Sequence, residues 1–243
     1  MTWSIVAKDP ETGWFAIAIA SRFFAVGALC PWASKDGAVS TQALMNPVLG
    51  PRALAMLNEG QRAADIRDML IAADEGRAQR QLHLVDAAGG SAAHTGADCV
   101  TWCGHETAPG LSVAGNMLAG PQVVADCFAA YRDNLQLGLV ERLLAAMTAG
   151  EAAGGDKRGK QSAAILVQGT EPYPLLSLRV DDHADPLPEL ARLYEVSKER
   201  YIPFSHGFPR PGRPHGIPER SELDVIIERE SGRPLSAPEP PDR

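Results

Sequence analysis

Thr2 stands directly after Met1 and opens an apolar run, TWSIVA. Methionine is generally removed ahead of a small residue such as threonine. Its loss would leave Thr2 with a free α-amine beside its own hydroxyl. An α-amine titrates at roughly 7.7–8.0, so part of it is neutral near pH 7 and can take a proton. One residue then supplies both nucleophile and general base, a known form of nucleophilic catalysis. Threonine is also a good strand former, and the same residue serves equally as the plain start of a sheet strand.

The other candidates lie in loops. Asn116, in AGNML, ends a predicted strand and can present an amide to an oxyanion. Gln42 and Asn46 lie in TQALMNP, just before a predicted helix. Each of the three also fits a turn or helix-cap hydrogen bond. The loop GGDKRGKQS, residues 154–162, joins glycines to a cationic turn that opens onto a buried strand. Arg158 can clamp a carboxylate with two parallel hydrogen bonds. Asp156 can orient a substrate amine or pair with Arg158. A solvated hairpin-like loop is the alternative for the whole segment. It is not a phosphate-binding loop, because the G-x-x-x-x-G-K-[ST] spacing is unmet and a strand follows.

Two clusters carry metal-ligand residue types. Asp181, Asp182, His183 and Asp185 precede Pro186, where a helix start attracts carboxylates through capping and the dipole; capping is the favoured reading. Cys99, Cys103 and His105 resemble half of a zinc site, but a structural site needs a second such element and only His94 is near. Neither a metal nor a cofactor is expected. No G-x-S-x-G elbow is present, which argues against an α/β-hydrolase.

These residues need elements to position them. Residues 3–7 and 14–20 read as strands joined by Asp9-Pro10-Glu11-Thr12-Gly13, a turn in which Pro pre-sets φ. The second strand, WFAIAIA, is apolar throughout, which points to burial on both faces. Short strands are predicted near residues 26–29 and 37–41. Helices are predicted over residues 51–58 and 62–73. Further strands are read at 81–85, 92–95 and 110–118, then two amphipathic helices around Val123 to Tyr131 and Leu139 to Met147. Strands at 162–167 and 175–180 follow, and Asp185-Pro186 starts a helix to about Tyr201. Doubly buried strands between two blocks of helices predict an α+β fold, a four-layer αββα sandwich of two stacked antiparallel sheets. Regular βαβ alternation is lacking, so a doubly wound sheet is not expected.

The domain is expected over residues 1–203. Residues 204–243 are rich in Pro, Gly and charge and are expected to be disordered or to lie on a partner subunit. With 243 residues and 45% hydrophobic content, the chain can bury one sizeable core. The net charge of −7 without a basic stripe argues against nucleic acid as a partner. No run approaches the ~20 apolar residues that span a bilayer, so no membrane is expected either. Four cysteines make no disulfide framework, and free thiols in a reducing cytoplasm are the expected state.

Six segments together resemble one bacterial and archaeal family, domain of unknown function 1028. They are TWSIVAKDPETGWFAIAIAS, VGALCPWA, TQALMNPVLGPRAL, GNMLAGPQVV, GGDKRGKQSAAILV and LRVDDHADPLPELARL. The resemblance covers about residues 2–200. It implies kinship with the N-terminal nucleophile hydrolases and their αββα sandwich. In those enzymes the first residue of the mature chain, at the start of an inner strand, attacks an amide or related acyl bond. Thr2 occupies that place. Proteasome-like members set an Asp and a Lys near the nucleophile; the corresponding stretches here hold Ala20-Ser21-Arg22 and Lys35. The expectation is an amidohydrolase of a small amide or peptide-like substrate. Thr2 attacks, Asn116 or a backbone N–H holds the oxyanion, and Ser21, Gln42, Asp156 and Arg158 bind substrate. A homodimer or higher homo-oligomer is expected. The rival expectation is a non-catalytic homodimeric domain on the same fold that binds a ligand or a protein.

Overall fold

The turn residues Asp9 to Gly13 reverse the chain between two long strands, β1 (Thr2–Lys8) and β2 (Phe15–Ser21). The Asp9 carboxylate accepts hydrogen bonds from the Thr12 amide (3.1 Å) and hydroxyl (2.6 Å), which closes the turn locally. The structure is a computed structural model that describes residues 2–232. It divides into two compact units, residues 1–190 and 191–243.

In the first unit β1 and β2 lie at the centre of a six-stranded antiparallel sheet. The other strands are β7 (Gly104–Ala108), β8 (Leu111–Asn116), β9 (Ser162–Gln168) and β10 (Leu176–Val180), and the order is β10-β9-β2-β1-β8-β7. A four-stranded antiparallel sheet holds β3 (Pro31–Ser34), β4 (Gly37–Ala43), β5 (Arg80–Asp86) and β6 (Ser91–Thr95) in chain order. The two sheets stack, with β1 over β4 and β5 and β6 over β7.

Helices cover the outer faces. Leu49, Ala53 and Leu57 of α1 (Leu49–Asn58) and Ile66 and Leu70 of α2 (Ala63–Ala72) recur at helical spacing. They bury against Val39, Leu82, Leu84 and Ala92 on the outer side of the small sheet. α3 (Gln122–Asp133) and α4 (Leu139–Ala152) pack on each other and on the large sheet. The sandwich layering read from the sequence is therefore observed as an α+β arrangement of two antiparallel sheets with helices outside. β2 is buried at all seven positions, as its unbroken apolar run requires.

Two local expectations change. Residues 26–29 do not form a strand; Val26–Ala28 is a 3-10 turn, and the strand follows at β3. β7 was not anticipated, because GHETA has no apolar period and its side chains are mostly exposed. Helix α5 (Pro186–Glu199) starts at the anticipated proline and crosses the division between the units. The second unit also holds α6 (Tyr201–Ser205) and α7 (Arg220–Ser231). Phe204 and Phe208 meet edge to face there at 5.6 Å, and Leu223 and Ile227 are buried. Residues 233–243, part of the segment expected to be disordered or partner-bound, lie outside the described residues. Among the described residues no helix is long and apolar enough to cross a membrane.

The first hairpin is locked to α4 by an ion pair between Asp9 and Arg142 at 2.5 Å, both side chains almost fully buried. Arg142 also stacks on the Tyr131 ring at 4.9 Å. Burial works to raise the Asp9 carboxyl, but hydrogen bonds from Thr12 and Arg142 outweigh it and hold the group below its usual value. A depressed acid adds stability above its unfolded value, and that stability is lost as pH falls through the folded one. Asp9→Asn leaves Arg142 charged and unpaired in the interior. The expected cost is about 3–5 kcal/mol of unfolding free energy at neutral pH, measured by urea denaturation.

Candidate active site

The sheet register decides what surrounds Thr2. Thr2 pairs with Ser21 on β2 and with Asn116 on β8, so the three lie in one cross-strand row. Strand alternation puts them on the face that also carries Ser4 and Val6. That face meets the small sheet: Ser4 Oγ lies 2.7 Å from both Gln42 Oε1 and His83 Nε2. Thr2 is buried, and its Oγ1 lies 3.2 Å from Ser21 Oγ.

Between the sheets runs a continuous buried polar network. Gln42 Nε2 donates to Gln81 Oε1 (2.7 Å) and to the Ala114 carbonyl (3.3 Å), and the carbonyl fixes the orientation of that amide. Its Oε1 therefore faces Ser4 and Ser40 and accepts from both. Ser4 spends its one proton on Gln42, so His83 Nε2–H donates to Ser4 and His83 Nδ1 accepts from Ser112 at 3.0 Å. Gln81 Nε2 donates to Thr95 and to the carbonyls of Gly104 and Gly115, and its Oε1 accepts from Gln42 and Asn116. Asn116 Nδ2 thus holds Gln81 at 3.0 Å and the Thr2 carbonyl at a longer 3.5 Å.

Two cavities open where this network ends. One, of about 230 Å³, is lined by Thr2, Phe23, Val26, Cys30, Gln42 and residues 43–45. The other, of about 330 Å³, is lined by Asn116, Met117, Gln79 and residues 98–100, and shares Ala43 and Leu44 with the first. Among the described residues, the non-glycine residues with left-handed φ are Ala25 (51°), Ala43 (69°) and Met117 (54°). Ala43 and Met117 line the cavities, and Ala25 precedes the lining Val26. Such conformations are costly for L-residues and cluster at functional sites.

The 154–162 loop closes the same end of the large sheet. Gly154 and Gly155 take positive φ, which lets the backbone turn sharply beside Trp3. Asp156 bridges to Leu118 and accepts the Arg22 amide at 2.9 Å. Arg22 follows β2 and Leu118 follows β8, the two neighbours of β1, so the loop spans the gap past the start of β1. Arg158 pairs with Asp156 at 3.3 Å while half-exposed.

The anticipated residues sort by what they touch. Thr2, Ser21, Asn116 and Gln42 meet at the end of the inter-sheet layer, and Asp156 with Arg158 stands on the adjoining loop. Both polar ends of Gln42 are engaged within the protein. Asn46 caps the turn before α1, its Oδ1 accepting the Val48 amide. Lys35 lies on the β3–β4 turn, paired with Asp36, at the opposite end of the small sheet from Gln42. Cys99 and Cys103 donate to backbone carbonyls, and His105 bonds Thr95. Among the described residues no group of His, Cys, Asp and Glu is arranged to hold a metal ion. Met1, on which removal depends, lies outside the described residues. Ser4, Ser40, Gln81, His83 and Ser112 were not anticipated. Their signal is polar residues two apart in otherwise apolar strands, as in Gln81-Leu82-His83.

Fold and site together define an α+β protein of two stacked antiparallel sheets with a cleft at the start of its central strand. The model of DUF1028, a family of unknown function, matches residues 2–190, and the chain belongs to this family. It is 32% identical to protein SPO2555 from Silicibacter pomeroyi, whose crystal structure superposes with a TM-score of 0.82 over 89% of this chain and 98% of that one. No curated protein matches the chain.

Burial pushes the His83 imidazole down to about 3, with the charge of His105 adding to the shift. His83 is therefore neutral in the fold, while the unfolded chain takes up its proton below about 6.5. The depressed base favours folding above that value, and the advantage is lost as pH falls from about 6.5 toward 3 at up to ~1.4 kcal/mol per pH unit. Urea unfolding at pH 7 and pH 5 is expected to show about 2 kcal/mol of this loss. In His83→Gln the dependence should flatten by that amount.

Proposed function

We propose that the chain is an N-terminal nucleophile amidohydrolase acting on a small amide or peptide-like substrate. The observation that carries this reading is the place of Thr2, the first residue of a central strand, buried and lining a cavity at the end of the inter-sheet layer. After loss of Met1, Thr2 Oγ1 attacks the substrate carbonyl carbon while the α-amine takes the hydroxyl proton. Ser21 Oγ, 3.2 Å away, orients the attacking oxygen. The oxyanion is held by a backbone N–H or by the Asn116 hydrogen that makes the long bond to the Thr2 carbonyl. Collapse breaks the C–N bond, and the amine leaves with the proton from the α-ammonium. Water, losing its proton to the α-amine, then cleaves the Thr2 ester and restores the hydroxyl. Asp156 fixes the loop beside Leu118, and Arg158 of that loop meets the polar end of the substrate where that end leaves the Asn116 side of the cleft. Gln42 forms the floor by holding Ser4 and Gln81.

The layering and the buried start of β1 support this reading. A second reading, a non-catalytic homodimeric domain that binds a ligand or protein, draws on Phe23, Phe24 and Leu44, apolar and more than half exposed.

The test begins with intact mass. Protein purified from its native host is expected to lack Met1. An electrophilic β-lactone should then label the N-terminal peptide. Thr2→Ala should abolish labelling and lower kcat/KM on any amide substrate by roughly a thousandfold or more. On the acid side the rate should rise with pH toward roughly 8, as the α-amine loses its proton. Retained methionine, or full turnover by Thr2→Ala, would leave the binding reading as the better account.

A further inference from the structure

We infer that the cavity beside Thr2 is an acyl pocket for an uncharged, apolar group, and that the substrate is an amide joining such an acyl group to a polar amine. This rests on the reading of Thr2 as nucleophile and goes beyond it by naming the substrate class.

Among the described residues, the lining of the 230 Å³ cavity carries no Lys, Arg, His, Asp or Glu. Three of its residues carry polar or titratable groups. Thr2 supplies the attacking oxygen. Gln42 has both ends of its amide satisfied by Ser4, Ser40, Gln81 and the Ala114 carbonyl, so it turns no unpaired group toward a ligand. Cys30 donates its thiol to the Met45 sulfur at 3.4 Å, and burial pushes it up to about 12, so it stays neutral. The remaining walls are Val26, Met45, Ala43, Leu44 and Phe23. An ammonium placed here would lose its hydration and gain no partner, and a carboxylate would pair with the Thr2 α-amine alone, holding it protonated when the reaction needs it as a base. An apolar group loses only unfavourable contact with water. Phe23 and Leu44 extend the apolar wall outward, at 56% and 59% exposure.

Size narrows the class. A cavity of about 150 Å³ takes benzene, so this one holds an acyl group of roughly six to nine heavy atoms. Phenylacetyl and hexanoyl groups fit that range. The second cavity has a different character. Asn116, Gln79 and Asp98 line it, and the Ala43-Leu44 ridge divides it from the first. Thr2 borders the first cavity and its direct cross-strand partner Asn116 borders the second, which adds Gln79 and Asp98 to walls of Cys99, Val100 and Met117 and is the more polar of the two. An amide laid across the ridge therefore has its acyl part on the Thr2 side and its amine part on the Asn116 side. The left-handed backbone of Ala43 holds the ridge between them.

Binding and turnover test this separately. Hexanamide, phenylacetamide, acetamide and succinamate are titrated by calorimetry against the full chain and against Thr2→Ala. Hexanamide and phenylacetamide should bind both proteins at least tenfold more tightly than acetamide or succinamate. Leu44→Lys places a cation at the exposed rim, where folding is undisturbed, and should move the preference at least tenfold toward succinamate. In turnover, hexanoyl p-nitroanilide should exceed acetyl and succinyl p-nitroanilide by tenfold or more in kcat/KM. Apolar binding with no turnover of any anilide supports the pocket and removes the nucleophile reading. Thr2-dependent turnover that favours acetyl or succinyl groups overturns the acyl pocket and leaves the nucleophile. Equal or absent binding of all four amides also overturns it.

Discussion

Two side-chain amides, from Gln42 and Asn116, converge on the Oε1 of Gln81 between the stacked sheets. That oxygen joins β4, β5 and β8, which belong to different sheets. A buried amide without partners is costly, and a satisfied network is correspondingly selective for one arrangement. Here the selection acts on register. A slip of one residue in β5 would turn Gln81 and His83 outward into the α1–α2 layer and bring Leu82 and Leu84 into the polar one. Hydrophobic burial drives the sheets together, since Val6, Phe15, Ile17, Ala38 and Val85 pack between them without direction. The amides and the imidazole supply the direction, and with it the position of Asn116 beside Thr2.

Much of the architecture was legible because it obeys periodicity. The Asp9–Gly13 turn, the unbroken apolar run of β2 and the helical spacing of Ile66 and Leu70 each reflect a local rule. β7 obeys none of them. It pairs along its own whole length with β8 at the sheet's edge, so backbone hydrogen bonding defines it while its side chains stay largely in water. Val26–Ala28 misled for the opposite reason. Its apolar residues suggested a strand, but Val26 is buried through a tight turn whose amide is held by Ser162. The site divides in the same way. Thr2 was found from its position and Asn116 from its place at a strand end. The inward row of Ser4, Ser40, Gln81, His83 and Ser112 needs the pairing of two sheets, which no single strand displays.

The loop carrying Asp156 shows how a charged segment can serve the backbone first. Asp156 is buried and accepts from the amides of Arg22 and Arg158. It ties the end of β2 to the end of β8, so the strands on either side of Thr2 cannot spread independently. The guanidinium of Arg158, half-exposed, is the solvent-facing part of the pair. The carboxylate's backbone contacts do not depend on that guanidinium, so a fixed positioning group and a half-exposed cation stand within three residues.

The inter-sheet layer changes character along β1, and the change sets where a ligand can reach it. Each inward residue lies about 7 Å from the next. At Val6 the layer is closed by apolar packing. At Ser4 it is closed by hydrogen bonds from both sheets, with no exposed surface left. At Thr2 neither closure is complete, and the cavities begin. A nucleophile at Val6 or Ser4 would be sealed from any substrate. One placed on an outer loop would lose the dry surroundings that strengthen electrostatic stabilisation of a developing oxyanion. The first residue of the strand stands between these limits, and the network behind it keeps the boundary in place.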